Sequence, residues 1–500
     1  MNKIYSIKVA GAAGQGIKST GAKLAKFVSG HGLNVYNYHE YPSLIRGGHN
    51  TVQTMFSLDP VNSPIQKLDV LVAFNQESID LHLSELNPEG ILIYDEKMEA
   101  PKIESGIKIF PAPLSEIEKG FEAIKKIVVD NLLNNLDMSR DNNKIVITGA
   151  EAIGSAAIAA GLQFSAIYPM SPISGILDHI AKYQEKYGYL YKQPEDEIAA
   201  INMCIGASFA GARAMTATSG GGFCLMTEGY GLAGITETPI VIILGMRPGP
   251  ATGLPTWNEQ GDLQFVLNAH QGDFPRIVLA AGDSEEAFNL TLIAFNLAER
   301  YTCPVVVLVD KNICEHEQSF KPFEYAKYQI ETPNRRLPGT GIHFVANSDE
   351  HDDEGFSTES AQIRVTQMKK RMDKLEVCAK NDMPSPQLVG PALADLTIVS
   401  WGSCKGAILD AMQSFPNVNF LHLTWFSPFP AQAVGEILAK AKNILAIEQN
   451  YSGQMTRLIR EKTGIEIKNK LLKYDGRMFY REEIEEAINV SLRAAAKQSL

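Results

Sequence analysis

Four segments of this chain carry residue types and spacings that could do chemistry. The first is Gly11-Ala12-Ala13-Gly14-Gln15-Gly16, between an apolar stretch and a helix-like one. Unpaired backbone N–H groups at a helix start, with the helix dipole, suit a phosphate. The order G-x-A-x-x-G departs from the dinucleotide fingerprint at Ala13, and no acidic residue ends the second strand to hold a ribose. Lys18 and Ser19 do not directly follow the last glycine, so it is not a P-loop either. Tight helix–strand packing explains the same glycines, and both readings stay open.

The second segment is Glu195-Asp196-Glu197, ahead of the small-residue stretch Ile198 to Gly211. Acids at a helix start complement the dipole, which is the plain reading. Glu197 abuts the small-residue face, where a carboxylate in an apolar pocket could trade a proton with a ligand nitrogen. The third segment, Met246 to Thr256, follows an apolar strand and holds Arg247 among prolines and glycines. Ligands of α/β proteins bind beyond the C-terminal ends of strands, and a guanidinium fork suits a carboxylate. A surface Arg in a stiff loop is the alternative. The fourth, Tyr168-Pro169-Met170-Ser171-Pro172, also follows a strand. Ser171 could donate its hydroxyl to a substrate, or simply cap the next helix.

The elements that must position these residues fall into three α/β blocks and an insert. The first opens with the strand Ile4 to Ala10, the glycine loop, a helix to Gly30 and a second strand Leu33 to Asn37. That is the opening unit of a parallel sheet. Further strands are expected at Val70–Phe74 and Gly90–Tyr94, and a linker at Asn131 to Asn143. The second block starts at Lys144-Ile145-Val146-Ile147. It continues through strands Ser165–Tyr168, Ala212–Thr218, Ile240–Met246, Arg276–Ala280 and Pro304–Asp310. Consecutive apolar runs of this kind indicate a sheet covered on both faces. From His316 to Leu388 the pattern weakens, with an acidic tract at 349–354 and one charged helix near Ile363 to Leu375. A third block has strands at Leu396–Ser400, Asn419–Leu423 and Asn443–Glu448 and an amphipathic tail from Glu482 to Lys497.

With 500 residues, about three domains are expected. A hydrophobic share of 45% against 21% charged excludes disorder as the main state. The net charge of −11 argues against nucleic acid or an anionic membrane as partner. The six cysteines form no C-x-x-C pair, so neither a zinc ribbon nor an iron–sulfur cluster held by this chain alone is expected. No apolar run approaches a membrane span, and no signal-peptide h-region is evident. A cytoplasmic protein is the expectation.

Together these segments resemble the α subunit of 2-oxoacid:ferredoxin oxidoreductases, in the form with a γ domain fused ahead of α. The γ part matches at Gly11–Ile17 and Tyr41-Pro42-Ser43-Leu44-Ile45-Arg46-Gly47-Gly48. The α part matches at Tyr168–Pro172, Glu197, Thr216–Gly220, Thr227–Gly229, Glu237–Pro239 and, most strongly, Arg247–Thr256. Ser348–His351 and Glu448–Gln454 add support. Two positions depart from the family: Ser171 stands where Thr is usual, and no Pro follows Ser219-Gly220.

The resemblance implies an α/β fold of three consecutive parallel-sheet domains with a long insert. These would be a γ domain (1–135), a thiamine-diphosphate pyrimidine-binding domain (144–315), an insert (316–388) and a transketolase C-terminal-like domain (389–500). It implies oxidation of a 2-oxoacid, with 2-oxoglutarate favoured, to acyl-CoA and CO2 with reduction of ferredoxin. Glu197 would take the cofactor-activating position. Ser171, Arg247 and Thr256 would bind the substrate, and Gly11, Gly14 and Gly16 a cofactor such as CoA. No Gly-Asp-Gly diphosphate motif is present. Thiamine diphosphate would therefore be shared with a β subunit carrying Mg2+ and the iron–sulfur cluster, with no metal on this chain, in a dimer of α–β pairs. Relatives acting on pyruvate, branched-chain or aryl-pyruvate substrates, and a non-catalytic assembly subunit, are the alternatives.

Overall fold

The computed structural model describes residues 2–44, 47–103, 106–136 and 143–498. Its strands form three sheets. In the first the spatial order is Lys108–Ala112, Leu86–Asp95, Leu68–Ala73, Tyr5–Ala12, His49–Ser57, Asn34–Glu40, Glu317–Phe320, Ile145–Thr148. The first four run parallel, and every pairing after Tyr5–Ala12 is antiparallel. Tyr5–Ala12 is buried along nearly its whole length, as its unbroken apolar run requires. Helices Ile17–Ser29 and Ile117–Asn131 cover it, closing a core around Ile7, Val9, Leu24, Val70 and Ile93. The helix from Ile17 sits so close that a Cβ on Gly21 would stand 2.2 Å from Val52.

The second sheet has the order Trp425–Ser427, Ile277–Ala280, Val305–Asp310, Val241–Met246, Ala214–Ser219, Phe164–Ala166, Leu190–Lys192. It is parallel except at Trp425–Ser427. The third runs Gln387–Val389, Val418–Leu423, Leu396–Trp401, Ile444–Glu448, Lys470–Leu472, parallel except at its first strand.

Three expectations are corrected. The strand Ile145–Thr148, expected to open the second sheet, lies on the edge of the first. It is joined there by Glu317–Phe320, a segment read from sequence as part of the insert. Those two strands extend a sheet that the Asn34–Glu40 edge would otherwise leave open. The second strand runs on to Glu40, so it does end on an acid. His49–Ser57 lies between it and the glycine-loop strand, which removes Glu40 from the ribose position. A strand with no counterpart in the sequence reading, Trp425–Ser427, crosses from the third block to close the edge of the second sheet.

The insert is tied down more firmly than its composition suggests. Glu350 of the acidic tract takes both guanidinium nitrogens of Arg371, at 3.0 and 2.7 Å, and Arg371 is 1% exposed. The charged helix spans Ala361–Asn381 and sends Lys370 to Glu237 at 2.6 Å.

Candidate active site

Register in the second sheet brings Ser219 opposite Gly245, so the two neighbouring strands end side by side. The helix Gly220–Ile235, which continues one strand, is therefore adjacent to the loop from Arg247, which continues the other. Ser219 is the helix's N-cap but makes no side-chain cap bond, and its buried Oγ has no partner.

Glu197 opens the helix Glu197–Phe209. The capping is done by Asp196, which accepts from Ala199 N at 2.8 Å, so the plain helix-start role falls to Asp196. Glu197 is then free to turn inward and is 2% exposed. It lies against Gly222, where an added Cβ would stand 2.5 Å from Glu197 Oε1 and 2.1 Å from Thr218 Oγ1. Glu197 Oε1 is buried without a hydrogen-bond partner. An unmet buried carboxylate oxygen is costly. Its chemistry fits the ring nitrogen of a bound heterocycle, such as the pyrimidine of thiamine diphosphate, and the glycine leaves room beside it.

Arg247 Nη1 donates to the carbonyl of Ser171 at 2.8 Å. That is its one hydrogen bond among the described residues, and it has no ion-pair partner there. Burial pulls its pKa below the ordinary range, with Asp262 opposing. Ser171 lies before, not at, the start of the helix Ser174–Tyr187, whose N-cap is Ile173. The loop is closed on itself by Leu254 N to Pro248 O at 3.1 Å. This requires glycine at 253, where φ is +54° and a Cβ would stand 1.8 Å from Pro248 O. At the loop's end Thr256 is buried and its Oγ1 has no partner.

Two acids beyond Thr256 were not singled out from sequence. Asp262 precedes the short helix Leu263–Asn268 and reads there as an N-cap, yet makes no cap bond. Its carboxylate instead lies on the start of the helix from Gly220, where a Cβ on Gly220 would stand 2.5 Å from Oδ2. Burial pushes its carboxyl up to about 6, with Arg247 opposing. Glu259 is pushed up to about 7 by burial and by the Asp262 charge. Only the tertiary approach of Asp262 to the start of the helix Gly220–Ile235 makes this visible.

The Glu448–Gln454 segment holds this stretch from the third block. Glu448, the last residue of its strand, reaches the start of the helix Gln454–Thr463, accepting from Met455 N at 2.8 Å and Thr456 N at 3.1 Å. Gln449 O accepts from Gln260 N at 2.7 Å, and Gln454 Nε2 donates to Gly261 O at 2.6 Å.

The glycine loop is placed elsewhere, at the end of a strand of the first sheet. Gly14 and Gly16 have φ of +91° and +78°, and Gly11 has no room for a side chain. Gly14 borders a cavity of about 510 Å3 with Gln15, Asn75, Lys97 and Ser115. The structure does not bring the loop together with Glu197, Arg247 or Thr256. Lys18, just past it, does share a cavity of about 450 Å3 with His39, Tyr41, Ser171 and His179. In the Tyr41–Gly48 segment, Tyr41 OH donates to Glu315 at 2.9 Å, while Ile45 and Arg46 lie outside the described residues. Among the described residues no group of His, Cys, Asp or Glu is arranged to hold a metal, and no helix is long and apolar enough to cross a membrane.

Comparison with known proteins gives a consistent result. Residues 6–170 match the family of pyruvate ferredoxin/flavodoxin oxidoreductases. Residues 155–376 match the thiamine-diphosphate-binding domain of pyruvate flavodoxin/ferredoxin oxidoreductases, and 394–484 match core domain II of pyruvate:ferredoxin oxidoreductase. A 2-oxoacid:ferredoxin oxidoreductase subunit alpha from Sulfolobus sp is 30% identical over 96% of each chain. The 2-oxoglutarate synthase subunit KorA of Archaeoglobus fulgidus is 34% identical over 69% of this chain and 99% of its own. The solved 2-oxoglutarate:ferredoxin oxidoreductase of Magnetococcus marinus, with 2-oxoglutarate, coenzyme A and succinyl-CoA bound, superposes with a TM-score of 0.88. It is 27% identical and covers 98% of this chain and all of its own. The fold and the matched domains define an oxidoreductase with a thiamine-diphosphate-binding domain. The chain belongs to the 2-oxoacid:ferredoxin oxidoreductase α-subunit family.

Proposed function

We propose that this chain is the γ/α subunit of a CoA-dependent enzyme that oxidises 2-oxoglutarate to an acyl-CoA and CO2 and reduces ferredoxin. One observation carries the reading: among the described residues, a buried carboxylate oxygen without a hydrogen-bond partner (Glu197) and a guanidinium that closes no ion pair (Arg247) stand beyond strands of one sheet. In this reading Arg247 binds the substrate's carboxylate, and the hydroxyls of Ser171 and Thr256 donate to it. Glu197 holds or accepts a proton at Oε1, buried against Gly222 at the start of the helix Gly220–Ile235. When bound, thiamine diphosphate supplies the electron sink that decarboxylation needs. Gly11, Gly14 and Gly16 are assigned to a phosphate of CoA. The preference for 2-oxoglutarate rests on the KorA relatives and on the ligands of the Magnetococcus marinus enzyme.

The diphosphate half of the cofactor site, its Mg2+ and the iron–sulfur cluster are assigned to a β subunit, in a cytoplasmic dimer of α–β pairs. The chain has no Gly-Asp-Gly motif. Exposed apolar residues also lie beside the site, with Ile198, Met203, Leu225 and Leu254 between 41% and 49% exposed. Exposed apolar side chains on the elements that carry the site suit a partner surface. The test is co-purification with a β subunit, followed by viologen reduction that requires both a 2-oxoacid and CoA. Full activity from this chain alone would overturn the shared site. A substrate panel separates 2-oxoglutarate from pyruvate, branched-chain and aryl-pyruvate substrates.

A further inference from the structure

Asp262 is neither a substrate ligand nor the proton-handling acid of the proposed reaction, yet it faces the site. Its Oδ2 is buried and makes no hydrogen bond, and it leaves its own helix uncapped. It rests on the N-terminal turn of the 16-residue helix Gly220–Ile235, in space that only glycine at 220 provides. Arg247 is the cation that faces it, and the two do not close into an ion pair. A carboxylate serving only to neutralise Arg247 would sit in contact with it and fill the pocket. Held off, it acts on Arg247 through its field and leaves the guanidinium fork open.

We propose that Asp262 is a positioning residue for the 2-oxoacid carboxylate, and that the substrate anion binds at Arg247 together with one proton taken from solvent by Asp262. This rests on the assignment of Arg247 to the substrate carboxylate. The groups facing Asp262 are Arg247 from the loop, Glu259 from its own segment, and Cys224 with the first N–H groups of the helix from Gly220. Glu197 stands next along, against Gly222. Burial has already moved the Asp262 carboxyl most of the way to neutral-range titration. A second negative charge arriving on Arg247 favours its neutral form further. Binding and protonation are then linked, so affinity for the anion falls as pH rises through the range where free Asp262 ionises.

The experiment uses the α–β complex, with KM for 2-oxoglutarate and kcat followed between about pH 5 and 8. In the wild type KM rises with pH, approaching about tenfold per unit above the Asp262 midpoint. Asp262→Asn, which imitates the neutral form, gives a low KM with no slope in this range, while kcat stays within about threefold because the effect is on ground-state binding. Asp262→Glu restores the slope. A flat wild-type profile overturns the proposal without any variant. So does an Asp262→Asn profile that keeps the wild-type slope, whatever its absolute KM, because that is what a purely structural residue gives. Arg247→Ala tests the underlying assignment separately. If it leaves KM unchanged, the carboxylate binds elsewhere; if it raises KM while Asp262→Asn does nothing, only the role of Asp262 fails.

Discussion

At the residue scale, Glu197 carries the sharpest consequence. Its Oε1 makes no hydrogen bond among the described residues, so Glu197→Gln replaces the carboxyl group without breaking a contact. For an acid–base role, kcat of the α–β complex should fall at least about 100-fold, with little change in KM for the 2-oxoacid. Unchanged kcat would leave the assembly-subunit alternative standing. Glu197 was legible in the sequence because acids were adjacent to a small-residue helix. Its place against the small-residue face set it apart from Glu195 and Asp196; what the sequence could not tell was whether it was free to turn inward. That depended on Asp196 satisfying the helix N-terminus first.

Two contacts between elements lead to measurements. The helix Ser284–Tyr301 of the second sheet is joined to the third block through Glu286. Its carboxylate takes His422 Nε2 at 2.9 Å and Lys405 Nζ at 2.5 Å. Burial alone would raise the Glu286 carboxyl, but His422 and Lys405 outweigh it and hold it far below the usual range. A depressed carboxyl contributes stability that is present above its unfolded pKa and lost as pH falls toward the folded one. Denaturant midpoints should therefore decline below about pH 4.5. Lys405→Met should cost about 3–5 kcal/mol at neutral pH, by leaving acids partly buried without their cation, and should flatten that acid limb. The helix Gly220–Ile235 gives the second measurement. Cys224 on this helix is exposed, while Cys204, Cys303, Cys314, Cys378 and Cys404 are buried. A disulfide-exchange reagent should modify one thiol in the native chain and six after denaturation. Leu225 beside it is 49% exposed, so binding of a β subunit should protect that thiol. Equal reactivity with and without the partner would remove this face from the interface.

The whole molecule is bound together by strands that leave their own block. Glu317–Phe320 pairs with Asn34–Glu40 on one side and Ile145–Thr148 on the other. Side chains reinforce the seam: Val35 N donates to Ser319 Oγ at 2.8 Å, Asn37 Nδ2 to Glu317 Oε2 at 2.6 Å, and Lys311 Nζ to the carbonyl of His39 at 2.7 Å. A fragment of residues 1–143 loses both strands and bares an edge with unpaired backbone groups. It should aggregate or melt well below the full chain in light scattering and circular dichroism. A fragment as stable and monomeric as the whole would show that the seam contributes little.

By itself the sequence determined the α/β class, most strand positions and the residues able to do chemistry. Consecutive apolar runs, glycine loops and stiff proline turns are local signals, set by the chain's own periodicity. Only the tertiary structure decided which residues meet. Pairing between distant strands moved Ile145–Thr148 and Glu317–Phe320 into the first sheet, and strand register placed Ser219 beside Gly245. Folding of the stretch after the strand Val241–Met246 sets Asp262 on a helix start that no sequence spacing connects to it. Side-chain direction across a sheet depends on long-range pairing, and long-range pairing has no local signature.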